Sequence, residues 1–450
     1  MNHPDWRAYE KFMVRQQLET GHDGIFFDNP TVHPQGCYCP HCMEKFLLFL
    51  KQEQLLSTLN PELSDHSLAA LRQLACQRTN DFMRFRSTIA RDFLADIRAY
   101  ARTINRRALI TCNNSLNSAD VLYSQCRSYA YNISELSKAE DLVVVEDMSS
   151  QPRVLVNDQT LEYTPTYKQL HAISHGKPVV AVAIAEADYH TPPNLVRLAM
   201  AEAAANNASY LSWPTWPENQ RQRMIAAIRP QADLLRANEP LLNNTRARRD
   251  AVLFLPFRRW VETNTCVASR LAAALTRANV QYEVLSEDNF TGGELKGTRA
   301  IVVESRSVLN PDEQTALENF QRKGGRVITA DKTDWLEALQ PAIDKPAVIV
   351  RGPTTLRVLV RDQGHKTIVH LLNLNVQRLS SFADQVAAAT EVQLTCRVPF
   401  KRVRSVRALT ADSDATAGRL PFTAQRDGRE TVVKATLPRL EIATILVIER

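Results

Sequence analysis

GHDGIFFDNPTVHPQGCYCPHCMEKF, residues 21–46, is where the chain is densest in chemistry-bearing side chains. A short apolar run, GIFF, ends on Asp28 and Asn29. A loop with three prolines and a glycine follows, carrying Cys37, Cys39 and Cys42, and an amphipathic run begins at Pro40. A short apolar run with a polar tip, then a loop and a helical pattern, reads as half of a parallel α/β repeat.

The same pattern recurs on the carboxyl-terminal side. ALITCN (108–113), LVVVEDM (142–148), PVVAVAIAE (178–186) and ASYLSW (208–213) are further short apolar runs. Nearly continuous apolar runs are expected of strands buried on both faces. Helical patterns lie between them, at 40–54, 67–104, 161–175, 193–206 and 218–238. Strand–helix alternation without hairpin signals predicts a parallel sheet with crossover helices. Four of the five strands end on carboxylates or amides: Asp28 and Asn29, Asn113 and Asn114, Glu146 and Asp147, and Glu186. In a (β/α)8 barrel the carboxyl ends of the strands form the active face. Four such tips point to a site there rather than to strand ends that merely meet solvent.

Five strands are legible, whereas a closed barrel has eight. The chain opens with an amphipathic helix at 5–19 that runs straight into the first strand, as in the middle of a barrel repeat. The expectation is a partial (β/α)8 TIM barrel over residues 1–245, with about three βα units upstream, given a usual barrel of ~250 residues. The polar stretch 246–250 marks a boundary. Strand and helix patterns then alternate from AVLFLP (251–256) to 326–330, with a helix read at 264–278. Residues 250–340 thus read as a small doubly wound α/β domain, flavodoxin-like in type. The Gly324-Gly325 pair stands where a helix C-cap is wanted. From 346 to 450 the pattern turns to period two, for example in TIVHLL at 367–372, which predicts a C-terminal β-sandwich.

Composition narrows the function classes. Hydrophobic residues make up 44% of the chain and charged residues 23%, as in ordinary globular proteins. The net charge of +6 is spread in short basic runs that read as solvated loops, so no nucleic-acid partner is expected. No apolar run reaches membrane-spanning length. The polar start lacks a signal-peptide core, so a cytoplasmic location is expected. Of the eight cysteines, three cluster and five are scattered singly, which fits a reducing compartment.

The spacing Cys37-x-Cys39-x-x-Cys42 lets three thiolates wrap one face of a tetrahedral Zn²⁺, with Pro40 turning the chain between the arms. His33, His41 or a cysteine from upstream are the candidate fourth ligands of this structural zinc site. A redox role is disfavoured, because the C-x-x-C is not read as opening a helix after a thioredoxin-type strand.

A strand-tip acid or amide followed by Cys-Tyr-Cys-x-x-Cys-x-x-x-Phe resembles the fourth strand of barrel glycosidases related to the family 42 β-galactosidases. It resembles still more closely the α-amylase-like barrel glycosyl hydrolases that carry DGIFFDN in this place. Family 42 also has the same three-domain order: a barrel, a class I amidotransferase-like trimerisation domain, and a small β domain. The resemblance implies a glycoside hydrolase that acts on a carbohydrate substrate and assembles as a homo-oligomer, a trimer. It also implies an assembly domain without its own chemistry. Glu304-Ser305-Arg306 stands where an amidotransferase has its nucleophile elbow, and Cys266, read as helical, has no histidine in its domain.

One departure alters the roles. Family 42 has Asn-Glu at the fourth strand tip, with the Glu as acid/base, whereas this chain has Asp28-Asn29. A shorter carboxylate there resembles the nucleophile of α-galactosidase-, α-amylase- and α-fucosidase-like barrels. Asp28 is accordingly the candidate nucleophile or electrostatic stabiliser, and Glu146 the candidate acid/base. Asp147 and Glu186 remain open for the second carboxyl role, Glu186 ending the strand equivalent to that of the family 42 nucleophile. Retaining hydrolysis needs two carboxyl groups ~5–5.5 Å apart. Asn29, Asn113, Asp147 and Trp213 are candidate substrate contacts. The rival expectation is a catalytically inactive carbohydrate-binding or assembly subunit, motivated by the missing strands and the missing Asn-Glu pair.

Overall fold

The chain is mixed α/β with a β-rich carboxyl-terminal region, as seen in a computed structural model. The structure describes residues 1–30, 32, 36–53, 67–114, 121–146, 153–154, 160–183, 191–212, 216–263, 265–290 and 295–450. Chain contacts divide it into two units. The first comprises Met1–Val145, Ile173–Val179 and Arg258–Asn264; the second comprises Glu146–Ala172, Val180–Phe257 and Thr265–Arg450.

The first unit begins with α1 (Pro4–Glu19), whose N-terminus is capped by the His3 ring and has proline at its first position. β1 (Gly24–Phe27) follows, then α2 (Pro40–Gln52), α3 (Leu68–Gln77) and α4 (Thr79–Ile104). After β2 (Leu109–Cys112) come α5 (Val121–Tyr129), α6 (Ile133–Leu136) and the start of β3 (Val143–Glu146). The single helix expected over 67–104 is in fact two. Arg78 leaves helical geometry (φ −104°, ψ 59°) and its Nε pairs with Asp81, so α4 starts afresh at Thr79. α4 buries Phe82, Phe85, Ile89, Phe93 and Ile97, an apolar stripe at helical spacing.

β1 and β2 pair in parallel, with Gly24 opposite Leu109 and Phe27 opposite Cys112. Gly24 is required by close approach, since a Cβ there would stand 2.4 Å from the Leu109 carbonyl oxygen. Ile25 is buried, and the Phe27 ring packs edge-on against Phe93 of α4 with centroids 5.4 Å apart. Phe26, by contrast, is 47% exposed. Strand alternation therefore turns Ile25 and Phe27 toward the helices, and Phe26 and Asp28 to the opposite face.

β2 meets β3 in an unusual way. The N–H of Asn114 donates to the Val144 carbonyl, as in an ordinary ladder. The N–H groups of Ile110 and Cys112, however, donate to the side-chain carboxylates of Asp141 and Glu140. Two acidic side chains thus take the acceptor role that strand carbonyls normally fill. The start of β4 (Val179–Ala183) is tied to β3 by the Val143 N–H donating to the Pro178 carbonyl.

In the second unit β4 pairs in parallel with β5 (Ser209–Ser212), Val180 opposite Ser209 and Ala183 opposite Ser212. Three helices accompany them: α7 (Thr164–Ile173), α8 (Pro193–Ala205) and α9 (Glu218–Ala237). All five expected strands of this region are present among the described residues.

Further on come α10 (Glu239–Leu242), β6 (Arg246–Ala247), β7 (Ala251–Leu255), α11 (Phe257–Thr263), α12 (Ala268–Arg277) and β8 (Tyr282–Ser286). β9 (Ala300–Val303), α13 (Pro311–Arg322), β10 (Arg326–Thr329) and α14 (Trp335–Ile343) complete this stretch. β7 to β10 form a parallel sheet in the order β10-β9-β7-β8. Gly324 takes φ +87° after α13, the left-handed C-cap expected of the glycine pair. Two readings are corrected here. α12 begins at Ala268, so Cys266 precedes the helix rather than lying in it. The short helices α11 and α14 had no counterpart in the sequence reading.

The remaining strands are antiparallel: Val376–Arg378 pairs with Asp384–Val386, and the rest form two larger sheets. One sheet runs Val348–Arg351, Ala389–Val398, Glu430–Leu440, Phe422–Asp427. The other runs Gly418–Arg419, Ser405–Leu409, Ala443–Glu449, Lys366–Asn373, Leu356–Gln363 and β6. Residues of both sheets, such as Val392, Leu394 and Val433 with Val358, Val369 and Ile448, share one apolar core. Among the described residues no helix is long and apolar enough to cross a membrane.

Candidate active site

Asp28 follows the last residue of β1 and Asn113 the last residue of β2, so parallel register sets the two side by side. The Asn113 side-chain amide donates to Asp28 Oδ1 at 2.9 Å, and the Asn113 N–H donates to the Phe27 carbonyl. Asn113 is buried, whereas Asp28 is exposed. A rigid buried amide thus orients one oxygen of an accessible carboxylate. Asn29 adopts a left-handed backbone (φ 48°), a conformation asparagine tolerates better than most residues, and its Oδ1 accepts the Tyr131 hydroxyl at 2.9 Å. Asp28 and Asn29 line a cavity of about 420 Å³ together with His3, Trp6, Glu10 and the three clustered cysteines. Burial raises the Glu10 carboxyl above its ordinary range.

Beneath this pair lies a buried polar cluster. Glu140 Oε1 accepts the Cys112 N–H (2.9 Å), the Cys112 thiol (2.7 Å) and the Asn114 side-chain amide (3.3 Å). Burial pushes the Glu140 carboxyl up to about 7, against the pull of these donors and of Lys177. Burial, and then the Glu140 charge, hold the Cys112 thiol well above its usual range, so it serves as a donor and not as a nucleophile.

The Sγ atoms of Cys37, Cys39 and Cys42 all lie within 4.8 Å of one another. Thiolates on a tetrahedral zinc, each ~2.3 Å from the ion, stand about 3.8 Å apart, so the trio fits with small adjustments. No His, Asp or Glu among the described residues joins the trio within that radius. His41 packs instead edge-on against His3, with centroids 4.8 Å apart. One expectation is corrected: Cys39 is the N-cap of α2 and Cys42 sits in its first turn, so the C-x-x-C does open a helix. Burial pushes the Cys42 thiol up to about 12, whereas the Cys39 thiol, against its own burial, is lowered by hydrogen bonds, the Cys42 backbone N–H first among them.

Asp28, Asn29 and Asn113 are therefore brought together, as are the three cysteines. Glu146, the last residue of β3, is half-buried and shares the face of Val144 by strand alternation. Glu186, Asp147, Trp213 and the candidate ligand His33 lie outside the described residues. Sequence reasoning missed Tyr131 and Glu140. Neither belongs to a motif, and Glu140 precedes a strand rather than ending one.

No family model matches the chain, and no curated relative matches it. Solved structures do. The α-L-fucosidase isoenzyme 2 from Paenibacillus thiaminolyticus superposes with a TM-score of 0.65 at 12% identity, covering 100% of this chain and 80% of that one. A β-galactosidase from Bacillus circulans sp. alkalophilus gives 0.65 at 13% identity, over 99% and 83%. A GH42 β-galactosidase from G. stearothermophilus gives 0.61 at 10% identity, over 100% and 82%. The chain has the fold of the GH42 β-galactosidases and of this fucosidase. The likeness to family 42 read from residues 21–46 and from the domain order thus extends, as fold, over the whole chain.

Proposed function

We propose that the chain is a glycoside hydrolase that cleaves O-glycosyl bonds of a carbohydrate substrate by a retaining, two-carboxylate route. The observation that carries this reading is the Asp28–Asn113 pair, an accessible carboxylate held by a buried amide at adjacent carboxyl ends of parallel strands. Asp28 attacks the anomeric carbon while a second carboxylic acid protonates the departing glycosidic oxygen. Water then cleaves the glycosyl ester, activated by the same group as base. Glu146 is assigned the acid/base role, with Glu186 the other candidate. Asn29, Asn113, Asp147 and Trp213 are assigned to substrate contact. Fold likeness to a β-galactosidase and an α-L-fucosidase makes nitrophenyl β-galactoside and α-fucoside the first substrates to try. Release of nitrophenol from one of a panel of aryl glycosides is expected; no release from any sugar overturns the reading.

Residues 1–245 are read as the five-strand part of a (β/α)8 barrel, 250–340 as a flavodoxin-like assembly domain and 346–450 as a β-sandwich. The chain-order parallel pairing of β1 to β5 and the β10-β9-β7-β8 sheet support this division. A non-catalytic role for the middle domain agrees with Cys266, whose thiol burial and then Glu304 push up to about 12. Light scattering is expected to give a homotrimer, and a monomer across a wide concentration range would contradict that assembly.

Cys37, Cys39 and Cys42 are the residues that would hold a structural zinc ion, fastening the loop that leads from Asp28 into α2. Metal analysis of the purified protein is expected to show about one equivalent of zinc, and Cys39→Ser to release it with a lower melting temperature. Metal-free protein with unchanged melting in the variant would remove zinc from the account.

A further inference from the structure

We propose that Glu140 is a positioning residue for the proposed reaction, a wedge between β2 and β3 that sets Asn113 against Asp28. The inference rests on the glycosidase reading for its kinetic arm only. In a parallel pair, the N–H groups on one edge of β2 should all find carbonyls of β3. Here Cys112 N–H finds Glu140 Oε1 instead, and strand pairing resumes at the bridge between Asn113 and Val144. The same oxygen takes the Asn114 side-chain amide, whose Nδ2 also donates to the carbonyls of Cys112 and Val144. Residues 112 and 114 are thus gripped on both sides of Asn113, which leaves Asn113 little freedom other than to face Asp28.

A fully buried carboxylate is a costly way to terminate a ladder. A backbone carbonyl in ordinary register would serve the Cys112 N–H equally well, whereas Glu140 Oε1 also takes the Cys112 thiol and the Asn114 side chain. The second Glu140 oxygen, Oε2, is buried without a hydrogen-bond partner among the described residues. Charge on Glu140 is therefore sustained by donors to Oε1 and by few cations. Lys177, ahead of β4, lowers its pKa, while Arg98 of α4 donates to the Glu140 backbone carbonyl rather than to the carboxylate. Asp141 is the adjoining acid and the Cys112 thiol the facing acid on β2, and Arg98 and Arg102 of α4 pair with Asp141. With a titration near pH 7, the three donors lose their anionic acceptor as pH falls through neutrality.

The test uses the full chain with Glu140→Gln, Asn113→Ala and the double variant. Gln is isosteric and keeps a carbonyl acceptor, so the fold is expected to survive, with the melting temperature as control. Glu140→Gln is expected to lower kcat on the cleaved glycoside by about 10- to 100-fold with KM within about twofold, the scale of a slight misplacement of a reacting group. Acting through Asn113, it should add nothing to the loss in Asn113→Ala, so the double variant should match that single variant. The wild-type kcat should decline below about pH 7, the value to which burial brings Glu140, and that limb should be absent in Glu140→Gln. Multiplicative losses with an unchanged pH limb would overturn the proposal. Hydrogen exchange supplies an arm without catalysis: the variant should exchange faster at the Asn113 and Asn114 amides while α4 stays protected. Unchanged exchange at 113–114 sinks the wedge even in a chain that cleaves no sugar, whereas an inactive wild type with the expected exchange overturns only the glycosidase reading.

Discussion

Asp28→Asn is expected to lower turnover of the best aryl glycoside by about 10³-fold or more, which corresponds to roughly 4 kcal/mol of lost transition-state stabilisation. The substitution keeps shape and removes charge, and the Asn113 amide still has an oxygen to which it can donate. Asp28 is exposed, so circular dichroism and melting should not move. Nucleophilic carboxylates have a further diagnostic: added azide should restore part of the lost rate by supplying an external nucleophile. A variant that retains more than about a tenth of the wild-type rate, a barrier change under ~1.4 kcal/mol, would remove Asp28 from the chemistry.

The second large effect concerns stability. Glu202 of α8 is almost fully buried, and its Oε1 accepts the N–H groups of Tyr163 and Thr164 and the Thr164 hydroxyl, at 2.8, 2.7 and 3.1 Å. It thereby caps the N-terminus of α7, where the helix dipole favours an anion. Its other oxygen faces Arg153, wholly buried and paired at 2.8 Å, whose guanidinium lies over the Tyr163 ring at 4.4 Å. Glu202→Leu leaves a buried cation unpaired and three donors without an acceptor. The expected loss is about 3–5 kcal/mol, the usual consequence of breaking one side of a buried pair. A denaturant titration of the full chain reads it, and a loss below about 1 kcal/mol would mean that the pair is well hydrated, as exposed pairs are.

The strands were legible from their apolar runs, which in β3 reflect burial on both faces, Val143–Val145, but in β1 leave Phe26 47% exposed. Their exact ends were not, since Asp28 and Asn113 continue the runs but lie just past the residues that pair β1 with β2. The break between α3 and α4 left no glycine or proline to mark it; a turn at Arg78 stabilised by a local ion pair has a weak signature. The first half of the site could be read because hydrolysis needs carboxylates and strand tips offer them. Glu140 could not, because its role comes from contacts with Cys112 and Asn114, 28 and 26 residues away, which only the fold creates. The cysteine trio was legible from spacing alone, whereas the start of α2 at Cys39 was not, for a cysteine N-cap makes no side-chain hydrogen bond that the sequence announces.

The central claim is that Asp28 forms a covalent glycosyl ester, and covalent trapping tests it most directly. The protein is incubated with an activated fluorosugar of whichever glycoside it cleaves, digested, and its peptides are weighed. One added glycosyl mass is expected, on the peptide that contains Asp28, and none in Asp28→Asn. A label on the peptide of Glu146 or Glu186, or efficient cleavage with inversion and no label, would contradict it.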